Sequence, residues 1–466
     1  MTSSAPNLSR HIEAQAAFAT AWHRSPLPQG VAEFGRLLLL DTLGALVGAT
    51  RYPQVQAMRE RLGATSLRAA ALPFAALFRL GTAATWLDAD SGGSFHPDGD
   101  RMPPVPTAHP APHVLPVLLH GAAEGVGDDE LLQVFVVATE VGMRFGTATS
   151  LRQGMHPHGI HGPVAAAVAA SLLRGHSADL IARAMTQALT TPLAARLWEP
   201  MQGGTVRNAW TGLGSYHGAR AAAEAGVGEP VAMESAAAAL RAVVGPEIDS
   251  ALLSDDLGTR WLFLNSYLKP YACARWIHPA LDALSAVVVD GLGTAAAGDP
   301  HSRPDHERVE RVDVETFAFA ASLSGADLRS DLHARFSLPA CIATLLMDGE
   351  LHAAGFLPGR LERPEVARLA GRVHVRENAS FTASLPRERP TTVTITWTGG
   401  RETSRHVRNG RGNPDNPLSP DEVAAKFRSN VTAVLSDEVA AQCSNAWAFG
   451  HPVGGSLLAR VVDSLQ

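Results

Sequence analysis

Within nine residues, Met155-His156-Pro157-His158-Gly159-Ile160-His161-Gly162-Pro163, three imidazoles stand directly before the apolar run Val164 to Leu173. A proline at position 163 suits the first turn of a helix, so the run reads as helical and the histidines crowd its N-terminus. Free N–H groups and the positive end of the helix dipole favour an anion there, and a protonated imidazole adds to the attraction. The chemistry on offer is carboxylate binding or proton transfer by at least one of the three. Two other readings stay open. One is a set of surface or capping histidines. The other is a metal-dependent hydrolase built on His156, His158, Asp88 and Asp90, although this spacing is no specific zinc signature.

Three further segments carry reactive side chains. Asp88-Ala89-Asp90-Ser91-Gly92-Gly93-Ser94-Phe95-His96-Pro97 runs on to Thr107-Ala108-His109-Pro110-Ala111. It reads as a long loop between helices, either functional or simply solvated and acidic. Thr205-Val206-Arg207-Asn208-Ala209-Trp210 places a guanidinium just ahead of a helix rich in small residues. An arginine can grip a carboxylate with two parallel hydrogen bonds. Tyr267-Leu268-Lys269-Pro270-Tyr271 leads through Cys273 and Arg275 to His278-Pro279-Ala280. A lysine among aromatic and apolar neighbours is a candidate for burial: as a base if its pKa falls, as a carboxylate anchor if it stays charged.

Helices have to position these groups. Apolar residues three and four apart predict helices over 30–48, 69–87, 128–146, 162–174, 177–190 and 212–226. From about 266 the pattern changes. Alternation at Val309, Val312 and Val314, at Val373 and Val375, and at Val393 and Ile395 before Trp397 predicts strands, with helices over 276–290, 327–347 and 363–370 among them. Past the Pro/Asn-rich stretch 413–420 the helical pattern resumes over 420–435 and 437–447. The expected fold is mostly α, a large all-helical domain (1–265, with 413–466 returning to it) and a smaller α+β lid domain (266–412).

With 466 residues, 46% hydrophobic and 18% charged, the chain is too apolar for a disordered protein and long enough for two cores. Lys and Arg number 39 against 45 Asp and Glu, which gives no electrostatic reason to bind nucleic acid or an anionic membrane. Cys273, Cys341 and Cys443 are far apart and form no CxxC pair, which fits a reducing compartment. The N-terminus lacks a secretory pattern, and apolar runs such as 164–173 are about half a bilayer span. The expectation is a soluble cytoplasmic protein.

Together these segments resemble the MmgE/PrpD family. The resemblance covers most of the chain and is carried by Leu40-Asp41-Thr42-Leu43-Gly44-Ala45, His109-Pro110, the Gly162 helix start, Tyr216-His217-Gly218-Ala219, Lys269-Pro270-Tyr271, His278-Pro279-Ala280 and His333-Ala334-Arg335-Phe336-Ser337-Leu338-Pro339. It implies a helical domain and an α+β lid with the active site in the cleft between them, a homodimer, and no metal or organic cofactor. Asp90, His109, His156 and Lys269 match active-site positions of the family's cis-aconitate decarboxylase branch. Arg207 falls where that branch has a lysine and Trp210 where it has a histidine, and the region of Ala321 and Ser322 lacks its tyrosine.

The implied chemistry is proton removal or delivery at carbon beside a carboxylate, followed by loss of water, loss of CO2 or reprotonation on the other face. His109 and His156 are the expected proton-transfer groups, with Asp90 orienting an imidazole. Lys269 and Arg207 are the expected carboxylate anchors, Lys269 being alternatively the base; His158, His161 and His278 are further candidates for substrate binding. The expected function is a cofactor-independent, dehydratase-like lyase acting on a small di- or tricarboxylic acid. An epimerase of the iminodisuccinate kind and a decarboxylase of the cis-aconitate kind are alternatives, and a binding protein that has lost its chemistry is a more distant one.

Overall fold

The computed structural model describes residues 5–465 except 63–66, 68–72, 94–107, 194, 246, 293–305, 326, 327 and 329. The elements that build the site are, in chain order, helices α1 (Gln29–Ala49) and α2 (Phe74–Ala84), strand β1 (Gly92–Gly93), helices α3 (Ala111–Ala123), α4 (Asp128–Ala148), α5 (Gly162–Leu173) and α6 (Val206–Glu224), and strand β2 (Ser266–Tyr267). Then come helix α7 (His278–Leu292), strand β3 (Val309–Thr316), helix α8 (Leu338–Asp348), strands β4 (Val373–Glu377), β5 (Thr391–Trp397) and β6 (Glu402–Val407), and helix α9 (Pro420–Val431).

The helices of the first half bury a common core from Leu38 in α1 to Val168 in α5, and Val423 and Phe427 of α9 join it from the far end of the sequence. α6 lies between α2 and α5. Small residues allow this closeness: a Cβ on Gly212 would stand 2.2 Å from the Phe78 carbonyl oxygen. α4 is the one described helix long and apolar enough to cross a membrane, and it is largely buried inside this core.

A second core unites Ile277, Leu281 and Leu284 with Val312, Val314, Val393 and Ile395. Its four-stranded sheet has the order β4-β3-β5-β6. β3 runs parallel to β4, with Val312 opposite Val373, and antiparallel to β5, with Val314 opposite Val393. Along β5, Thr391, Val393, Ile395 and Trp397 are buried and the residues between them are less so, as expected of a sheet covered on one face. The fold is thus mostly α with a smaller α+β part.

Two local expectations need correction. The helix expected over 327–347 is two, Asp331–Arg335 and Leu338–Asp348, because Ser337 caps the second by accepting from the Ala340 N–H, with Pro339 in its first turn. α6 begins at Val206 rather than 212, so Arg207 sits inside its first turn. The helical half also contains two-residue ladders. One of them, β1 with β2, pairs Gly92 with Tyr267 and so joins the acidic loop to the segment carrying Lys269. The helix expected over 69–87 is described only from Phe74.

Candidate active site

The segment Thr85 to Asp90 leaves the end of α2, and buried cations from four other segments hold its backbone. Arg207 donates to the Thr85 carbonyl. Arg335 donates to that of Leu87 at 3.0 Å, Lys269 to that of Asp88 at 2.7 Å, and Lys426 to that of Ala89 at 3.3 Å. Lys426, in α9, is itself paired with Asp41 of α1 at 2.5 Å. Asp88 adopts a left-handed conformation, φ 48°, which aspartate tolerates better than most residues. Its carbonyl and its carboxylate both receive Lys269: Oδ1 accepts from Lys269 Nζ at 3.1 Å and from Arg207 Nη2 at 2.6 Å.

Asp90, fully buried, completes a charge-balanced group of two carboxylates and two cations. Its Oδ1 lies 3.2 Å from Arg207 Nη2. Burial alone would push its pKa up, but Arg207 and then Lys269 outweigh that and hold it well below the usual carboxylate range. The converse applies to the cations. Burial disfavours both charges, yet Asp90 and Asp88 raise the pKa of Arg207, and Asp88 and then Asp90 raise that of Lys269. Lys269 is an ammonium here, the anchor alternative of the sequence reading, not a neutral base.

His109 stands on the other oxygen of Asp90, its Nδ1 2.9 Å from Oδ2 and 2.8 Å from the Ser91 carbonyl oxygen. A carbonyl only accepts, so Nδ1 carries a proton, and in the neutral ring Nε2 presents its lone pair. Gly92 makes room for this ring: a Cβ there would lie 2.6 Å from His109 Cε1 and 2.7 Å from the Tyr267 hydroxyl. His156 has the opposite tautomer. Its Nδ1 accepts from the His158 backbone N–H at 3.2 Å, which leaves the proton of the neutral ring on Nε2. Burial first, then the Arg207 charge, holds its pKa well below the ordinary imidazole value. The two rings are 6.5 Å apart between centroids and inclined by only 23°.

Asp88, His109, His156, Arg207 and Lys269 line a cavity of about 470 Å³ between the helical and α+β parts. Leu197, Met201, Trp276, Phe319 and Phe336 line its apolar wall, and Arg275 and Arg389 also face it. Trp210 packs against His156 at 5.7 Å. Ser322 turns to solvent, bonded to the Phe319 carbonyl, so the aromatic that the cavity receives from this region is Phe319, without a hydroxyl.

The structure separates the other sequence candidates from the cavity wall. Asp90 sits behind His109 rather than on the wall. His158 is fully buried, with Nε2 3.3 Å from Asp90 Oδ2 and Nδ1 3.3 Å from Thr211 Oγ1, so it supports the site without reaching substrate. His161 lies in the core beside His113, and burial pushes its pKa down to about 3. His278 turns toward the Cys273 carbonyl at 3.2 Å. Neither reaches the cavity, because the helix start that carries His161 is packed inside and His278 opens α7. Ser94, Phe95, His96, Pro97 and Thr107 lie outside the described residues.

Sequence reasoning missed His113, Arg275 and Arg389 as parts of the site, and took Asp88 as a metal ligand or as one carboxylate of a functional or solvated loop. His113 is buried, donates from Nδ1 to the His109 carbonyl at 2.9 Å and accepts the Gly159 N–H on Nε2 at 3.2 Å, tying the two histidine segments together. Its spacing of four from His109 on a helix start was the available signal; Arg389 had none.

Among the described residues, Asp90, His109 and His158 are the group whose ligand atoms lie close enough to hold a metal ion. The donors fit poorly. His109 Nδ1 is committed to a carbonyl, and a dication would join two buried cations, Arg207 and Lys269, around one Asp90 carboxylate.

A family model for the MmgE/PrpD N-terminal domain matches residues 13–247, and one for the MmgE/PrpD C-terminal domain matches residues 271–448. A search of curated proteins returned no match to this chain.

Proposed function

Since the chain belongs to the MmgE/PrpD family, whose members are generally dehydratases, lyases or isomerases, we propose that it is a lyase that removes a proton beside a carboxylate of a small di- or tricarboxylic acid. The observation that carries this reading is the Asp90–His109–Ser91 arrangement at the cavity wall. Both acceptors hold the proton on Nδ1, so Nε2 is available as a base. When it takes the proton from carbon, the imidazolium that forms lies 2.9 Å from an ionised, buried carboxylate.

His156 then supplies an N–H donor from Nε2 and Lys269 an ammonium, two of whose hydrogen bonds go to Asp88. Both stabilise negative charge developing on the substrate's carboxylate or departing oxygen. In a dehydration, His109 returns its proton to the departing hydroxyl, which leaves as water with the C–O bonding pair. The C–H pair becomes the new double bond. The epimerase alternative with two bases needs one base unprotonated and the other protonated. The parallel stance of His109 and His156 suits it, but burial and Arg207 oppose a protonated His156, and in the neutral ring the proton on Nε2 leaves no lone pair there to act as the second base, which favours the lyase.

The test is proton NMR in D2O with a panel of citrate-like, aconitate-like and aspartate-derived acids. An alkene or decarboxylated product formed alongside C–H exchange is the expected result. Exchange with only a change of configuration would move the assignment to epimerase. No exchange with any acid would refute the proposal.

A further inference from the structure

The charges grouped around Asp88 and Asp90, the inner group, are already spent. Arg207 gives its terminal nitrogens to Thr85, Asn208, Asp88 and Asp90, and Lys269 gives two of its three hydrogen bonds to Asp88. Two cations facing two buried carboxylates present almost no net charge to a substrate anion. An acid with two or three carboxylates needs positive charge from elsewhere in the same cavity.

That charge is on the α+β side. Arg275 lies with its guanidinium 3.8 Å from the centre of the Tyr267 ring and donates to Asn413 Oδ1. Arg389 lies 5.0 Å over the Trp276 ring, and its Nε is buried with no hydrogen-bond partner among the described residues. Both line the main cavity, and both line a small water-sized recess beside it. The Trp276 face fixes the plane of the Arg389 guanidinium and leaves its N–H edge for a ligand, whereas Arg275 is also held by hydrogen bonds to Tyr267 and Asn413. Asp415 acts on both arginines at longer range, but it is exposed and accepts from Asn409 Nδ2 at 2.8 Å. Both side chains are half-buried, and holding two like charges together there is costly. The Arg275 pKa is pushed down to about 9, first by burial and then by Arg389. A bound anion relieves both costs.

We propose that Arg275 and Arg389 form a second anion subsite that takes a carboxylate of the substrate remote from the carbon facing His109. This rests on the carboxylate-lyase reading and extends it: the lid-side arginines, rather than Arg207, set the requirement for a polyanionic acid.

The test uses the full chain, with the D2O exchange assay for kinetics and calorimetric titration of succinate and propane-1,2,3-tricarboxylate for binding. Arg389→Gln and Arg275→Gln are expected to raise KM and weaken binding of both probes roughly ten- to hundredfold, with kcat within about threefold. Arg389→Lys restores part of the loss. Because Arg389 makes no ion pair among the described residues, its glutamine variant should keep its circular dichroism and melting temperature. Unchanged KM and affinity in both glutamine variants, with the unaltered chain active, would overturn the subsite alone. No exchange and no binding by the unaltered chain would overturn the carboxylate reading, and this inference with it.

Discussion

Two groups of cations line the cavity, an inner one beside His109 and an outer one on the α+β side, and they use positive charge in opposite ways. In the inner group, Arg207 and Lys269 are matched by Asp88 and Asp90, so their charge is held firmly. In the outer group, Arg275 and Arg389 rest on aromatic rings, and burial pushes both pKa values down. A buried ion pair is weak evidence for net stability, but removing one partner is costly because the other charge is left behind. The inner group therefore shapes the loop and orients His109, while the outer pair is suited to meet a ligand's charge.

The most damaging way to break this contrast is Asp90→Asn. The variant keeps the shape but leaves Arg207 and Lys269 with one carboxylate, and its amide can turn either an oxygen or an N–H toward His109. We expect a loss of about 3–5 kcal/mol in stability, read from denaturant unfolding, and a fall in turnover of about 10⁴-fold by analogy with other carboxylate-to-amide changes behind a histidine base. A stable variant with normal turnover would show that the inner group does neither job.

His109→Gln is the sharper cut, since it removes the base and leaves the four charges in place. Turnover should fall about 10²- to 10⁴-fold. Affinity for succinate should stay within about threefold, because the outer arginines are intact. Loss of binding as large as the loss of turnover would erase the proposed division of labour.

Acid should act first on the buried histidines at and behind the inner group. Burial lowers the pKa values of His113 to about 4 and of His161 to about 3, and holds those of His156 and His158 well below normal. The folded state therefore binds fewer protons than the unfolded chain below the ordinary imidazole pKa of about 6.5. The stability these neutral rings confer is complete above that pH and lost as the pH falls toward their folded values, by about 1.4 kcal/mol per pH unit for each ring. Asp90 has the same sign at lower pH: its contribution is present above the unfolded carboxylate value of about 3.9 and lost as pH falls toward its depressed folded value. Guanidinium unfolding at pH 7.5, 6.0 and 5.0 should show the histidine slope. A flat profile would mean that these rings are not buried neutral.

Much of the inner group was legible in the sequence because it is local. Asp88 and Asp90 are two residues apart, His156 and His158 likewise, and the helical periodicity around them marks α4 and α5 to within two residues. Tautomers were not legible, because they depend on Ser91 and the His158 backbone N–H meeting particular ring nitrogens. The positions of His161 and His278 were not legible either: an imidazole before an apolar helix reads alike whether it faces a cleft or the core. Arg389 was hidden for a different reason. It sits between the short helix Ala379–Ala383 and β5, and only the sheet's return brings it over Trp276, 113 positions earlier in the chain.

The smallest expected effect probes that last contact. Trp276 is half-buried, packs on Phe319 at 4.7 Å between ring centroids, and carries Arg389 above its own ring. Trp276→Leu removes the ring face and keeps an apolar side chain. An aromatic face supports a guanidinium by about 0.5–2 kcal/mol, so KM should rise about 2- to 30-fold, less than for Arg389→Gln. Trp276→Phe restores a face, though a smaller one, and should recover most of the affinity. In both variants kcat stays near its original value, because His109 and Asp90 belong with the inner group. If leucine and phenylalanine raise KM equally, the ring acts by volume alone and the orientation of Arg389 has another source. If kcat falls as far as KM rises, the two groups are coupled through the α+β part, and the cavity works as one charged surface rather than two.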